Sequence, residues 1–175
     1  RGKGSTSYKA PSFKSKGDTA YPPLAAEEEK GTIMDIIDSP GHSSPLMKIK
    51  LGSHEAIIQA PEGIRTQQEM EVGENAKIQP GNIVPLKNIP EGTPICNIES
   101  EPGDGGKFVK SSGGNAKIVS KMLNKIAVLM PSKKERAFKP ECRATIGAIA
   151  GSGKKDKPLL KAGTQFYAAK ARNKF

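Results

Sequence analysis

The sequence predicts an all-β fold in which an OB-fold barrel is followed by an SH3-like barrel, with basic extended termini. Three observations predict it. Apolar residues fall in short runs rich in Ile and Val, as half-buried strands do. The 19 Gly and 14 Pro among 175 residues interrupt the chain too often for long helices. Hydrophobic residues make up only 35% and Trp is absent, so two small cores fit better than one large core.

The first barrel is predicted over residues 22–87. Its opening segment, 22–30, is predicted to be a linker or a short helical turn. Apolar residues such as Ile33, Met47 and Ile57 then alternate with polar neighbours. Turns containing Pro and Gly separate the apolar runs, which is typical of a small OB-type barrel. The predicted strands lie at 31–38, 46–51, 55–60, 75–79 and 83–86.

The second barrel is predicted over residues 88–160. Two glycine-rich segments, 101–106 (EPGDGG) and 111–114 (SSGG), provide its tight turns. Short strands closed by such turns fit an SH3-like barrel. The predicted strands lie at 93–99, 107–110, 116–120, 125–130, 136–138 and 144–150. Beyond them the alternation is lost, and 162–172 is expected to form either a helical turn or an extended tail.

The charge is segregated along the chain. Residues 1–20 carry five basic and one acidic group, residues 21–104 six and 14, and residues 105–175 17 and three. The net charges are therefore +4, −8 and +14, for a total of +10. Two basic ends around an acidic middle predict a polyanion held by the ends. Residues 1–21 are predicted as a basic RNA-binding arm and residues 161–175 as a basic extension. A solvated charge run without a partner remains the alternative.

Enzyme and cofactor motifs fail on inspection. Residues 151–154 (GSGK) match part of a phosphate-binding loop, but Ala148 and Lys155 stand where Gly and Ser or Thr are required. A basic loop that meets backbone phosphates fits this segment better. The turns at 72–73, 81 and 91–94 are like those of a biotin or lipoyl carrier barrel, but the modifiable Lys motif is missing. We therefore expect no enzymatic activity, no cofactor and no small-molecule substrate.

The cysteines and histidines show no metal-binding spacing. Cys96 and Cys142 lie in no CxxC motif, and His42 and His54 add no ligand pattern. Both thiols are predicted to be small buried residues of a reducing compartment. No apolar run is long enough to span a membrane, and from the first residues we expect no signal peptide. Because residue 1 is Arg rather than Met, we expect the natural start to lie upstream.

An ordered series of motifs closely resembles the archaeal and eukaryotic branch of the ribosomal protein L-two family. The strongest block is 142–147 (CRATIG). A lone short motif would be weak, but these occur in one order along the chain. The others are 60–64 (APEGI), 81–82 (GN), 85–86 (PL), 89–93 (IPEGT), 96–99 (CNIE), 102–107 (PGDGGK), 150–151 (AG), 157–158 (KP) and 161–163 (KAG).

The resemblance implies a cytoplasmic structural constituent of the large ribosomal subunit. Its expected partners are large-subunit rRNA near the peptidyl transferase region and neighbouring ribosomal proteins, with a role in subunit association. The family normally continues past the position of Phe175 with a His-containing tail nearest the catalytic centre, so no residue is assigned to that role. Two alternatives are a ribosome-binding translation factor and, less favoured, a carrier-type barrel of a biosynthetic enzyme.

The predicted RNA contacts combine the charge pattern with the motifs. Within the matched blocks, Lys110 replaces the usual Arg, and Asn115 replaces a usual Tyr. We expect Arg143 to hold a phosphate with two hydrogen bonds, because a guanidinium presents a planar fork. The full predicted set is Arg1, Lys3, Lys9, Lys14, Lys16, Lys107, Lys110, Lys117, Arg143, Lys154, Lys155, Lys161, Lys170, Arg172 and Lys174.

Overall fold

A computed structural model describes residues 12–23, 29–153 and 156–171. These described residues form ten short strands, one α-helix and two short 3-10 helices, Ser12–Lys14 and Leu86–Asn88. The all-β class predicted from the sequence is confirmed. The strands are β1 Glu29–Ile37, β2 Leu46–Leu51, β3 His54–Gln59, β4 Glu69–Val72, β5 Ile83–Pro85, β6 Pro94–Cys96, β7 Ala116–Lys121, β8 Ile126–Leu129, β9 Glu135–Phe138 and β10 Arg143–Ile146. The helix is α1, Ala162–Ala171.

All ten strands form one hydrogen-bonded series, in the order β3-β2-β1-β4-β5-β10-β6-β7-β8-β9. Neighbours are antiparallel except β4 and β5, which meet in parallel between Val72 and Ile83. The last strand, β10, returns to lie between β5 and β6. Because β10 is late in the sequence and pairs with β5 and β6 near the middle of the chain, it joins the first half of the chain to the second.

Two hydrophobic cores lie along this series. The earlier core gathers residues from Tyr21 to Ile83, including Ile33, Ile49 and Met70. The later core gathers residues from Ala76 to Ile146. Buried and less buried side chains alternate over residues 30–34 of β1 and 47–51 of β2, as in strands with one apolar face, before the register of β1 shifts between Ile33 and Asp35. Two small cores agree with the low apolar content of the chain.

Several predicted strands need correction. The segment 75–79 is not a strand: the backbone N–H of Gln79 donates to the carbonyl of Lys77 at 2.9 Å, which closes a tight turn. Residues 107–110 contribute only an isolated bridge between Ile98 and Phe108. Strand β4 was missed because its sequence, EMEV, carries two acidic residues and is only four residues long. Of the two alternatives for the segment after residue 161, the helix is the one found.

Candidate nucleic-acid interface

A groove runs between the loop at 107–115 and the turn at 130–132 and has a volume of about 690 Å³. The hydroxyl-bearing residues Ser111, Ser112 and Ser132 line it, and so does Lys107. An ammonium group, hydroxyl groups and glycine backbone along one open groove are suited to phosphate and sugar oxygens. This groove is the candidate interface that the folded structure adds to the sequence prediction.

The glycine-rich wall of the groove is fixed by backbone constraints. Gly113 has φ +69°, and a Cβ atom there would lie 2.9 Å from the Cα of Ser152. Its N–H donates to the carbonyl of Ile149 at 3.0 Å. Val109 also has a positive φ, of 55°, which β-branched residues rarely adopt. Strained backbone of this kind concentrates at binding sites.

The adjoining loop at 101–106 is organised by the carboxylate of Asp104. Its oxygens accept backbone N–H groups of Ser100 at 3.0 Å and Gly106 at 3.2 Å. Burial alone would raise the pKa of Asp104, but these hydrogen bonds, with those from Glu101 and Lys107, hold it below its usual value. The ammonium of Lys107 lies 3.2 Å from this carboxylate and remains exposed. Lys107 therefore still faces solvent at the groove.

Lys110 has a different environment from Lys107. Its half-buried ammonium donates to the carbonyls of Thr19 at 3.0 Å and Gly106 at 3.1 Å. Burial lowers its pKa, while the charges of Asp104 and Asp18 act in the opposite direction. The side chain thus ties the N-terminal segment to the loop at 101–106 and is largely withdrawn from solvent.

The structure places Arg143 inside the protein. Its side chain was expected to hold a phosphate, but the residue is only 4% exposed. The guanidinium pairs with the buried carboxylate of Glu99, with 2.7 Å between Nη2 and Oε1. Its Nη1 donates to the carbonyl of Pro22 at 3.0 Å, and its centre lies 5.2 Å from the ring of Tyr21. The planar fork is used to bind a carboxylate inside the protein.

The segment at 19–22 is fastened between the two cores. The backbone N–H of Ala20 donates to the carbonyl of Ile57 at 3.1 Å, and that of Tyr21 donates to the carbonyl of Gly105 at 3.0 Å. The buried Tyr21 hydroxyl donates to the carbonyl of Asn97 at 2.6 Å and lies 2.7 Å from Thr145 Oγ1. The ring of Tyr21 is buried and its hydroxyl is hydrogen-bonded inside the protein. The last residues of the predicted arm 1–21 therefore pack as part of the fold.

The remaining predicted contacts separate into two groups. Five that the structure describes are exposed and distributed over the N-terminal segment, β7 and the helix region; they are Lys14, Lys16, Lys117, Lys161 and Lys170. Seven lie outside the described residues; they are Arg1, Lys3, Lys9, Lys154, Lys155, Arg172 and Lys174. The described members of the predicted set therefore lie on several different elements of the fold.

Two exposed groups are absent from the sequence prediction. Phe166 and Tyr167 on α1 present aromatic surface beside Lys170, whose ammonium lies 5.8 Å from the Phe166 ring. Such rings can stack on unpaired bases. The second group is the basic residues between 121 and 139. The sequence contains a sign of both groups: an aromatic pair within a basic segment for the first, and a local excess of Lys and Arg for the second.

Neither thiol is disposed to react. Cys96 and Cys142 are free and buried. Burial raises the pKa of Cys96 to about 12 and that of Cys142 to about 11, so both stay protonated near neutral pH. Across residues 12–23, 29–153 and 156–171, no three His, Cys, Asp or Glu side chains cluster as a metal site would require. No helix in this described part is long and apolar enough to cross a membrane.

Comparison with known proteins identifies the family. The family model for Ribosomal Proteins L2, C-terminal domain, matches residues 79–174. The chain is 44% identical to the large ribosomal subunit protein uL2 of Methanosphaera stadtmanae, over 99% of this chain and 74% of that protein. It is 42% identical to that of Methanothermobacter thermautotrophicus over the same shares, and 44% identical to that of Methanococcoides burtonii over 98% and 73%. The chain belongs to the ribosomal protein L2 family.

Proposed function

We propose that this chain is a cytoplasmic structural constituent of the large ribosomal subunit that binds and stabilises large-subunit rRNA. The observation that carries the proposal is family membership over nearly the whole chain, since the relatives at 42% and 44% identity are large-subunit proteins. Its role is structural rather than catalytic. Its partners are rRNA and neighbouring ribosomal proteins.

The charge distribution supports an RNA partner. A net charge of +14 over residues 105–175 causes self-repulsion that a bound polyanion relieves. The exposed Lys107 at the groove is well placed to meet a phosphate. We assign phosphate contacts to the exposed lysines of the predicted set and to its basic residues outside the described part. Arg143 and Lys110 are left out of this proposed contact set because their charged groups are buried or half-buried as well as bound within the protein.

We further propose the two-barrel organisation, with an OB-fold barrel at residues 22–87 and an SH3-like barrel at 88–160. The two separate cores support it. Ala76, Val84 and Leu86 pack in the later core although they precede residue 88, so the two units would share a border across β5. Basic segments at 1–21 and 161–175 flank them, with residues 19–21 attached to the fold.

The position within the subunit is a proposal that follows from the family resemblance. We place the chain on rRNA near the peptidyl transferase region, where it supports subunit association. The acidic segment 21–104, which carries a net charge of −8, would then face protein or solvent.

A salt titration of the full chain against a large-subunit rRNA transcript tests the proposal. If about 6–10 basic side chains each neutralise a phosphate, affinity should fall by roughly 10³- to 10⁵-fold between 50 and 200 mM salt, by the salt dependence known for proteins bound to duplex DNA. RNA with single-stranded regions should show a shallower slope. Binding that does not respond to salt would contradict the proposal.

A second experiment distinguishes a structural constituent of the subunit from a translation factor that binds the ribosome transiently. A structural constituent should copurify with large subunits through a high-salt wash, because buried shape contacts with folded rRNA hold it there as well as charge. A factor held mainly by charge should dissociate at modest salt. Quantifying the chain in pelleted subunits after each wash distinguishes the two.

A further inference from the structure

The turn that joins β7 to β8, residues 122–125, presents large apolar side chains to solvent. Leu123 is 98% exposed and Met122 is 67% exposed. Apolar side chains that protrude together contribute little to the fold, and such patches mark contact surfaces. We call residues 122–125 the hairpin tip.

The hairpin tip is held in place before any partner arrives. The backbone N–H of Met122 donates to the carbonyl of Lys125 at 2.9 Å, which closes the turn. At the end of β7, the backbone N–H of Lys121 donates to Glu91 Oε1 at 3.1 Å, and its ammonium donates to the carbonyl of Lys87 at 2.7 Å. A contact made by a pre-organised tip loses little conformational entropy on binding.

The strands that carry the tip are basic. Residues 117–139 contain seven basic residues and one acidic residue, Glu135, but Lys117, Lys133 and Lys134 lie at the opposite end of the hairpin from the tip. Lys121 and Lys125 lie at either end of the turn, and both are exposed. Two exposed lysines that flank an apolar turn favour a polyanion as the partner that covers it.

The small size of the apolar area favours RNA over an acidic protein as the partner. A stable protein interface buries about 800 Å² on each partner around an apolar centre. Two side chains on a narrow turn provide only a small part of such a centre. They are well matched to one unpaired base, because apolar side chains can wedge against bases in nucleic-acid complexes.

We propose that the hairpin tip is an RNA contact in which Met122 and Leu123 pack against an unpaired base, while Lys121 and Lys125 meet the neighbouring phosphates. This inference rests on the proposed function and goes beyond it, because it assigns a base-contacting element apart from the groove at 107–115. It also specifies the RNA feature recognised, a single-stranded or bulged nucleotide.

The absence of Trp from the chain makes a direct test possible. The substitution Leu123→Trp introduces one indole at the tip, so tryptophan fluorescence reports on that position alone. The probe is a single-stranded oligoadenylate of about 12 nucleotides. We expect the fluorescence to be quenched as the probe saturates, because the indole stacks on a base. Polarisation of a labelled copy of the probe measures binding independently.

The control is Met34→Trp, an exposed position on β1 in the acidic part of the chain. It should bind the probe equally well by polarisation but show no quenching. Saturated binding without quenching at the tip, or equal quenching in both variants, would overturn the inference and leave the proposed function intact. Failure of the unsubstituted chain to bind both this probe and the rRNA transcript would reject both proposals.

A loss-of-contact variant completes the test. Met122→Ser with Leu123→Ser should weaken binding of the single-stranded probe on the order of fivefold and leave affinity for a matched RNA duplex unchanged, because paired bases are covered. Equal loss on both probes would contradict base contact. A blue shift of the introduced indole with RNA-free large-subunit proteins, and no response to RNA, would assign the tip to a protein and also overturn the inference.

Discussion

The guanidinium of Arg143 donates two hydrogen bonds to one carboxylate oxygen of Glu99, from Nε at 3.1 Å and from Nη2 at 2.7 Å. The second oxygen of Glu99 accepts the backbone N–H of Arg143 at 2.8 Å. Both side chains are at most 5% exposed, so water cannot replace either partner. We expect Arg143→Ala to lower the free energy of unfolding by about 3–5 kcal/mol, because it leaves a buried carboxylate unpaired. Urea denaturation measures the change.

The double variant Arg143→Met with Glu99→Gln is the control for this pair. It leaves no unpaired charge inside and should cost less than Arg143→Ala alone. If Arg143→Ala changes stability by less than about 1 kcal/mol, the pair is not fully desolvated in solution.

The hydroxyl of Tyr21 provides a second stability test. Tyr21→Phe keeps the buried ring but removes the hydrogen bond to the carbonyl of Asn97 and leaves that acceptor and Thr145 without this partner. We expect a loss of about 1–3 kcal/mol in the free energy of unfolding. Tyr167→Phe, at an exposed position, is the matched control and should stay within about 0.5 kcal/mol of the original chain. Equal effects of the two changes would contradict the buried role of Tyr21.

The two lysines of the groove region should differ in how they affect RNA binding. Lys107→Ala should reduce the slope of log affinity against log salt by about 0.7–0.9, because it removes one exposed phosphate contact. Lys110→Met should leave that slope unchanged and lower stability, because its ammonium binds the carbonyls of Thr19 and Gly106. Salt titrations and urea denaturation of both variants check this. A reduced slope for Lys110→Met would return that lysine to the contact set.

The buried thiols predict a loss of stability at alkaline pH. Burial raises the pKa of Cys96 from 9.0 to about 12 and that of Cys142 to about 11. The unfolded chain ionises first, so this contribution is fully present below about pH 9 and is lost as pH rises through the folded pKa. Burial also raises the pKa of Tyr21 well above 10.0, which adds to the loss at higher pH.

Cys96→Ala tests the alkaline effect. The variant removes one ionising thiol, so the cost of the substitution should shrink as pH rises from about 8 to about 10.5, by up to about 1.4 kcal/mol per pH unit. Urea denaturation at both pH values gives the difference. A cost that is the same at both would show that this thiol titrates alike in the folded and unfolded chain.

The two glycines Gly113 and Gly92 separate backbone strain from steric clash. Both have positive φ, but a Cβ at Gly113 would meet the backbone of Ser152 at 2.9 Å, whereas nothing lies within 4 Å at Gly92. Gly92→Ala should cost about 1–2 kcal/mol from conformation alone, and Gly113→Ala should cost more. Thermal denaturation of both variants compares them. A smaller cost at Gly113 would mean that the groove wall can move away from Ser152.

Local patterns in the sequence were enough to predict much of the β structure. The strand at 46–51 was predicted with the bounds found for β2, because its apolar residues alternate and turns enclose it. Residues 75–79 look similar in composition, but they form turns, and Ala76 packs into the later core. Strand β4 pairs with β1 through its backbone, and this pairing depends on long-range contacts that a four-residue pattern does not encode.

The sequence by itself determined the all-β class, the segregated charge and the motif series that led to the ribosomal protein L2 family. These are properties of residue type and order, and they do not depend on which atoms meet. Only the tertiary structure decided which charges are buried and paired and which face solvent. Arg143 and Lys107 are both basic residues within family motifs, yet one is buried against Glu99 and the other faces solvent. Burial and pairing depend on neighbours distant in the sequence, so charge alone could not separate them.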